Sequence, residues 1–476
     1  MTGRDSPVGV SDRPESAGGD LRGDAFLRAL HAEHVAVVGA SADPTKLGHQ
    51  TLRNLLEGGF QGTLYPINPK AEEILGIRCY PTIDAVPSDL DLAVIVIPAS
   101  AVPEVVGQAG RKGAAACVVL SGGFRESGAQ DLEEALVRAA RANRTLVVGP
   151  NVQGLAYVPN RLSALMYPYF KTPGPLAIVG QSGSVTAAIG EWAEREGLGI
   201  SALVNLGNKA DVDEADVICW LANDAATRTM ALYLEGVCDG RRFVKAAASA
   251  AATKPIVVLK AGSSAAGQRA VASHTASLAG SDAVFSAACR QFGLARAADM
   301  TELYDLAKGF ALVTPPKGRR LLVISSSGGT GALAVDEASR LGLEPALLPS
   351  GYVRAIKKLG LSPRTSYANP LDIDSLEAEE FAACAALAVK HNVADTILFG
   401  LGDPVPGTPA MVRRFVDDHG LSTVVTYLGG GAIELAEAPQ LHAAGIACYP
   451  SPERALRALA TVVDHQRWLE EVNVSQ

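Results

Sequence analysis

Short apolar runs alternate with amphipathic stretches along most of the chain. Between the later apolar runs, residues 102–111 and 130–142 repeat apolar side chains at the helical spacing of 3.6. Continuous apolar strands separated by helices are typical of a parallel sheet covered on both faces. We therefore predict a Rossmann-like α/β domain over residues 25–150, with these strands: His34–Val38, Leu64–Ile67, Leu92–Ile97, Ala116–Leu120 and Thr145–Val148.

The alternation continues in two further blocks, residues 151–315 and 318–476, separated by the linker Pro315-Pro316. The last block is expected to be a flavodoxin-like, doubly wound domain. Residues 1–24 are polar and lack the apolar centre of a signal peptide, so a disordered tail is predicted there. The predicted strands are Pro175–Val179, Ile200–Val204, Thr229–Leu234, Pro255–Leu259, Arg320–Ile324, Thr396–Leu401, Thr423–Tyr427 and Gly445–Cys448.

Composition narrows the class of protein. The 476 residues carry a net charge of −8, with 48% hydrophobic and 19% charged residues, as in ordinary globular α/β proteins. This charge gives no reason to expect nucleic acid, so an anionic ligand must be met by local basic residues and helix N-termini. No apolar run reaches the roughly 18 residues of a membrane span. Seven scattered cysteines, without a CxxC pair, argue against disulfides or zinc and predict a reducing, cytoplasmic location.

Ligands of parallel sheets bind at the carboxyl ends of the strands, and in the first domain these ends are rich in glycine. Such turns let backbone N–H groups approach phosphate, although simple turn glycines are the alternative. A GxGxxG fingerprint and an acidic residue after the second strand are both missing, which disfavours NAD. A phosphate-rich ligand is predicted on Gly39, Ala40, Ser41, Lys46, Gly48, Asn68, Lys70, Ile97, Pro98, Ser121, Gly122, Gly123 and Asn151.

The second domain offers a phosphoryl site. Gly180-Gln181-Ser182-Gly183-Ser184 opens a predicted helix and presents free N–H groups and hydroxyls to an anion. The hydrolase elbow GxSxG is excluded because its last glycine is replaced by Ser184. Glu235 follows a strand at the same edge, where a helix-capping or salt-bridging carboxylate is the alternative.

His274 lies in a run of small residues, 270–280, that follows a flexible linker at 261–267. This composition predicts a loop, and a surface histidine is the alternative interpretation. A carboxylate on one ring nitrogen would leave the other nitrogen nucleophilic. A helix N-terminus would stabilise a transferring phosphoryl group. Glu235, His274 and residues 181–184 together therefore suit a histidine that becomes phosphorylated.

These motifs resemble the α subunit of NDP-forming acyl-CoA synthetases, the superfamily that includes succinyl-CoA synthetase and ADP-forming acetyl-CoA synthetase. The resemblance covers residue 30 onwards and is most specific in Ser273–Gly280, which matches the family's phosphohistidine loop. It implies that the first domain binds CoA, that His274 carries the phosphoryl group and that Glu235 orients it. It also implies that both later domains are flavodoxin-like. One departure is Val152 where the family often has cysteine, followed by Gln153.

The resemblance further implies a missing component. No ATP-grasp domain is recognised in the sequence, so an ATP-grasp β subunit, in an α2β2 heteromer, is expected to hold ATP or ADP with Mg²⁺. No metal site is expected on this chain, and the small carboxylic acid that it activates is not readable from the sequence. A non-catalytic regulatory protein that binds CoA or acyl-CoA is the alternative function. A turn at Ser325–Gly331 is a weak candidate for contacting nucleotide.

Overall fold

The computed structural model describes residues 21–167, 170–275, 280–403, 405–429 and 431–474, with the backbone alone for residues 272–275 and 473–474. Its first sheet has five parallel strands in the order β2-β1-β5-β6-β7. A two-stranded antiparallel ribbon, β3-β4, lies beside it. The elements are α1 (Leu21–Leu30), β1 (His34–Val38), α2 (Leu47–Glu57), β2 (Thr63–Ile67), β3 (Glu73–Ile74), β4 (Ile77–Arg78), β5 (Leu92–Ile95), α3 (Val102–Arg111), β6 (Ala116–Val119), α4 (Gln130–Ala142) and β7 (Leu146–Val148).

The second sheet has seven strands in the order β14-β13-β12-β10-β11-β8-β9, and an antiparallel hairpin, β8-β9, forms one edge. Its remaining strands are parallel. The elements are β8 (Gly154–Tyr157), β9 (Leu162–Leu165), β10 (Pro173–Gly180), α5 (Gly183–Arg195), β11 (Ile200–Asn205), α6 (Glu214–Ala222), β12 (Thr229–Leu234), α7 (Gly240–Ala251), β13 (Ile256–Lys260), α8 (Ala265–Thr275), α9 (Asp282–Gln291), β14 (Ala295–Arg296) and α10 (Met300–Leu312).

The third sheet is parallel, in the order β16-β15-β18-β19-β20, with β17 pairing the end of β15. The elements are β15 (Arg320–Ser325), α11 (Gly328–Arg340), β16 (Glu344–Pro345), α12 (Ser350–Lys357), β17 (Leu371–Asp372), α13 (Ala378–Lys390), β18 (Thr396–Leu401), α14 (Thr408–His419), β19 (Ser422–Tyr427), α15 (Gly431–Ala443), β20 (Ala447–Tyr449) and α16 (Pro452–Val474).

All three sheets share one strand order. When the parallel strands of each sheet are counted in chain order, leaving out the two-residue strand β17, every sheet reads 2-1-3-4-5, the flavodoxin-like order. In such sheets the ligand crevice lies between the first and third strands, where the chain changes direction of winding. This places candidate residues after β1 and β5 in one crevice, and those after β10 and β12 in another. The predicted fold class, α/β with parallel sheets, is confirmed.

Two local predictions are wrong, and one hairpin lies outside the predicted elements. Residues 21–24 belong to helix α1, where Phe26 is fully buried and its ring stacks on Trp220 at 4.3 Å. The hairpin β8-β9 was not anticipated, because both strands are buried throughout and show no alternation. Residues 265–275, predicted as linker and loop, form helix α8, since alanine has the highest helix propensity and four of these positions are alanine.

Buried apolar side chains join the sheets into one body. One cluster extends from the first sheet to the second and includes Val35, Leu92, Val179 and Val204. Another extends from the second sheet to the third through α10 and α16. The first two sheets therefore share a core, which fixes their carboxyl edges relative to each other. The domain boundaries at 150 and 315 stay a prediction.

A buried polar joint ties the second sheet to the third. His442 Nδ1 donates to the carbonyl oxygen of Glu196 at 2.7 Å, and the Cys448 N–H donates to His442 Nε2 at 3.2 Å. These two backbone partners require the neutral imidazole with its proton on Nδ1. Lys308, 1% exposed, pairs with the Glu196 carboxylate at 2.9 Å. Burial, and after it the positive charge of the nearby Lys308 ammonium, lower the pKa of His442 to about 4.

We expect this joint to make the fold acid-sensitive. The unfolded chain takes up a proton at His442 near its ordinary pKa of about 6.5, whereas the folded chain does so near 4, so stability falls as the pH drops through that window. The loss at pH 5 should be about 2 kcal/mol relative to pH 8. In urea unfolding, His442→Gln should be less stable at pH 8 but should lose less stability at pH 5. The exposed His419→Gln should keep the wild-type pH dependence.

Candidate active site at the edges of the first two sheets

Two glycines at the first-sheet edge are required by close backbone contacts. Gly39 has φ +86°, and a Cβ there would lie 2.1 Å from the Val96 carbonyl oxygen. A Cβ at Gly48 would lie 2.0 Å from the Gly39 carbonyl oxygen. The ends of β1 and β5 and the start of α2 are thus packed backbone against backbone, and a side chain at either glycine would push them apart.

The edge around α2 is positively charged and open. Helix α2 begins after Lys46 without a side-chain cap, so no capping side chain occupies the N–H groups at this positive end of the helix dipole. Lys46 and Lys70 are both exposed at this edge. Asn68 braces the edge, because its amide donates to the Ala40 carbonyl at 2.8 Å and its oxygen accepts the Lys70 N–H at 2.8 Å. The arrangement suits a phosphate-rich ligand.

Part of the predicted ligand set is already engaged within the chain. The Ser121 hydroxyl bridges the backbone of Ile97, at 3.1 Å to the N–H and 2.5 Å to the carbonyl oxygen. The Glu126 carboxylate accepts the N–H of Gly123 at 2.6 Å and that of Phe124 at 3.1 Å. Burial alone would raise the pKa of Glu126, but these bonds and one from Asn208 hold it below the usual value. Ser121 and Gly123 therefore shape the turn instead of offering free donors.

The carboxyl edge of the second sheet forms one hydrogen-bonded row. The Leu206 N–H donates to Gly180 at 2.8 Å, the Gln181 N–H donates to Tyr233 at 3.1 Å, and the Ala261 N–H donates to Leu234 at 2.8 Å. The ends of β11, β10, β12 and β13 are therefore adjacent. Residues 181–184, Glu235 and the segment leading into α8 lie side by side.

The start of α5 is an uncapped helix N-terminus. Ser182 precedes the helix without a side-chain cap, and its hydroxyl lies 3.2 Å from that of Ser184. These two hydroxyls and the first N–H groups of α5 can meet a phosphoryl group. Gln181 differs, because its side-chain oxygen accepts the N–H groups of Glu235 at 2.8 Å and Gly236 at 3.1 Å. It orients the neighbouring strand end.

Glu235 is 5% exposed and lies beside Tyr233 at this edge. Burial raises the pKa of Tyr233, and the negative charge of Glu235 raises it further. His274 lies in the last turn of α8, and its side chain falls outside the described residues. Lys260, the last residue of β13, pairs with Leu234 in the sheet register. Because α8 begins five residues after Lys260, the chain that leads to His274 leaves the sheet next to Glu235.

The two edges meet at residues 149–153. The Gly149 and Pro150 carbonyls accept N–H groups of Ala210 at 3.0 Å and Asn208 at 3.0 Å. Gln153 lies against the start of α5, where a Cβ on Gly183 would come within 2.0 Å of its Cδ. Its amide donates to the Tyr167 hydroxyl at 2.6 Å. The first-sheet edge and the α5 start are thus neighbours and can serve one reaction.

Comparisons with known proteins assign the first two domains to families. A family model for a CoA binding domain matches residues 33–158, and one for a succinyl-CoA ligase like flavodoxin domain matches residues 173–310. The chain is 38% identical over 456 residues to the α subunit of ADP-forming acetate–CoA ligase I of Pyrococcus furiosus, covering 93% of this chain and 98% of that one. The chain belongs to the family of ADP-forming acyl-CoA ligases.

Two other members place this ligase chain within the family. The structure of acetyl-coenzyme A synthetase 1 from Candidatus Korarchaeum cryptofilum, solved with phosphate and ADP, superposes with a TM-score of 0.84 at 36% identity, covering 93% of this chain and 97% of that chain. ADP-forming acetate–CoA ligase I of Archaeoglobus fulgidus is 36% identical over 91% of this chain, which spans 63% of its length.

The family assignment gives the first-sheet edge its ligand class. All candidate residues from Gly39 to Asn151 lie within the CoA binding domain match, and those from Gln181 to His274 lie within the flavodoxin domain match. The individual residue roles stay predictions. Sequence reasoning assigned no role to Glu126, Asn205, Asn208 and Lys209 at the junction of the two edges, although residues 205–213 are expected to form a loop at the second-sheet edge. Their signal was polarity alone, since the bonds that link the first three to distant segments span 52 to 83 residues.

We expect Gly48→Ala to weaken CoA binding at least tenfold. The added Cβ meets the Gly39 carbonyl oxygen, which is backbone, so the start of α2 must move away from the ligase's CoA edge. Titration calorimetry with CoA measures the effect. Gly240→Ala, at the first residue of α7 with nothing within 4 Å, is the matched control and should bind CoA as the wild type does. Equal affinities in the two variants would contradict the prediction.

Proposed function

We propose that this chain is the catalytic α subunit of an ADP-forming acyl-CoA synthetase. The reaction is acyl-CoA + phosphate + ADP ⇌ carboxylic acid + CoA + ATP. The observation that carries the proposal is the row of adjacent strand ends that brings together the uncapped start of α5, Glu235 and the segment leading to His274. The CoA edge adjoins this row through residues 149–153.

The first step joins the two edges. Phosphate held by Ser182, Gly183 and Ser184 attacks the thioester carbonyl carbon of acyl-CoA bound at the first-sheet edge. The carbon–sulfur bond breaks, so CoA leaves as its thiol after protonation and acyl phosphate remains. The N–H groups at the start of α5 stabilise the phosphate charge through this step. Gln181 is proposed to hold the Glu235 strand end in place.

The second and third steps belong to His274. One ring nitrogen attacks the phosphorus of acyl phosphate, the carboxylate leaves, and phosphohistidine forms. Glu235 is proposed to accept a hydrogen bond from the other ring nitrogen, which fixes the tautomer and favours the cationic ring. ADP then attacks the phosphorus of the phosphohistidine, which forms ATP and returns His274 to its unphosphorylated state. We propose that the segment carrying His274 moves between the phosphate site and the ADP site on the partner. The exposed side chains of Ala265, Ala266 and Arg269 in α8 support this proposal, because an element with little buried area opens at low cost in free energy.

The last step requires a partner. The α-subunit name of the Pyrococcus relative implies one, and this chain spans 63% of the length of the Archaeoglobus relative. We propose an ATP-grasp β subunit in an α2β2 heteromer, holding ADP with Mg²⁺. Among the described residues, no group of three or more His, Cys, Asp and Glu side chains is placed to hold a metal ion.

The substrate is proposed to be a small carboxylic acid. Relatives are named for acetate and for 4-hydroxybutyrate. Within the described residues, no helix has the length and apolarity needed to cross a bilayer. All seven cysteines are free, which is the usual state in a reducing compartment and supports a cytoplasmic location.

Transfer of phosphate to His274 tests the proposal. The wild-type chain, incubated with its β partner, acyl-CoA and radiolabelled phosphate, should acquire an acid-labile, base-stable label, and His274→Ala should acquire none. Glu235→Gln should label at least tenfold more slowly, because it keeps the side-chain shape but loses the charge. His419→Ala, an exposed histidine in the third domain, should label normally.

Equal labelling of wild type and His274→Ala would refute the proposal, as would no labelling of either with the partner present. Calorimetry then separates catalysis from sensing. A chain that binds CoA but supports no ATP-dependent thioester formation with the partner would be a regulatory protein.

A further inference from the structure

The turn at residues 205–209 lies where the two edges meet. Asn205 is 1% exposed, and its amide donates to the Gly180 carbonyl at 2.9 Å. Its oxygen accepts the Gln153 N–H at 2.8 Å. One buried carboxamide therefore ties the start of the α5 region to the segment that connects the two sheets. Both bonds fix backbone positions, so this end of the turn has a defined place relative to the phosphate site.

Lys209 fixes the other end of the turn. Its ammonium group donates to the Gly236 carbonyl at 2.7 Å and to Glu214 at 2.9 Å, and both charged side chains are almost fully buried. Gly236 directly follows Glu235. The turn is thus attached to both strand ends that border the phosphate site, those of β10 and β12.

Asn208, between these two anchors, reaches across to the first domain. Its NH2 group donates to Glu126 at 2.5 Å and to Glu133 at 2.9 Å, which uses both of its N–H bonds. The backbone carbonyl of Asn208 accepts a hydrogen bond from the Arg125 guanidinium at 2.6 Å, and Arg125 pairs with Glu133 at 3.3 Å. The second oxygen of Glu126 holds the N–H groups of Gly123 and Phe124 in the CoA-edge turn.

We propose that Asn208 is a positioning residue that aligns the CoA edge with the phosphate site by acting through Glu126. The proposal rests on the proposed function. Asn208 is the neutral donor that separates two carboxylates, so its position sets where Glu126 holds the Gly123 turn. Asn205 and Lys209 bond the turn that carries Asn208 to the ends of β10 and β12, so Asn208 has a fixed position relative to both strand ends. Disturbing Asn208 should therefore misalign the thioester carbon and the attacking phosphate while leaving each binding edge intact.

Asn208→Asp provides a pH-dependent test. The charged groups around position 208 are Glu126 and Glu133 opposite it, Arg125 beside them, and Lys209 and Glu214 on its own side. At pH 8 the new carboxylate faces two others and cannot donate, so the contact is lost. On acidification the aspartic acid takes up a proton and donates to Glu126 again. Activity relative to wild type should then recover.

The measurement is acyl-CoA-dependent phosphorylation and ATP formation with the β partner from pH 5.5 to 8. At pH 8, Asn208→Asp should lower kcat at least tenfold, with KM for phosphate and the CoA dissociation constant within threefold of wild type. The ratio of wild-type kcat to Asn208→Asp kcat should be at least threefold smaller at pH 5.5 than at pH 8. Asn223→Asp, an exposed residue after α6, adds the same charge to the same domain and should behave as wild type at every pH.

A reciprocal exchange keeps the test decisive if the single variant folds poorly. In Asn208→Asp/Glu126→Gln the donor and acceptor change places, since the introduced amide can donate to the introduced carboxylate, so kcat at pH 8 should recover at least threefold. Wild-type kcat and pH profile in the single variant, or no recovery in the double variant, would overturn the proposal. The proposal would also be overturned if Asn208→Asp lost kcat, phosphate affinity and CoA affinity to the same extent. If wild type itself forms no phosphohistidine, the proposed function has failed instead.

Discussion

The geometry of the candidate site depends on one row of backbone hydrogen bonds that continues past the ends of four parallel strands. Donation from Leu206 to Gly180, from Gln181 to Tyr233 and from Ala261 to Leu234 extends the sheet register by a residue at each step. Because parallel strands end at one edge, side chains distant in sequence are delivered to adjacent positions. Glu235 and the start of α5 are neighbours for this reason, with no direct bond between their side chains required.

Rigidity and mobility are distributed in a way that suits group transfer. The first two sheets share a buried apolar cluster, and the junction around Asn205 and Lys209 adds buried polar contacts across it. Helix α8 differs, since most of its side chains from Ala265 to Ala270 are exposed. Elements with little buried apolar area open at low cost in free energy. His274, the proposed relay, thus lies on a weakly packed element, while the groups proposed to hold the phosphate that it takes up are fixed.

The sequence allowed the edges to be located but not the contacts between them. Periodicity and strand length placed β12, β18, α3 and α4 at their observed bounds, because each is a buried run or an amphipathic helix of ordinary length. The same reasoning was wrong at α8, where serine and glycine predicted a loop although the helix propensity of the alanines favours the observed helix. It also failed at Glu126, whose bond to Asn208 joins residues 82 apart. Local pattern carries no information on such pairings, since they depend on how the sheets pack.

The polar groups of the two edges differ in a way that follows from their tasks. At the CoA edge, Lys46 and Lys70 are exposed cations, which favour tight binding of a ligand that keeps its phosphates. At the start of α5, the described residues present hydroxyls and N–H groups, and the nearby cation, Lys209, is paired with Glu214. A phosphoryl group passed through several intermediates must not be held too firmly at any of them, because binding an intermediate more tightly than the following transition state raises the barrier to the next step. In the proposed mechanism, neutral donors meet that requirement better than a free ammonium group, and the Lys209 ammonium beside this site is paired with Glu214.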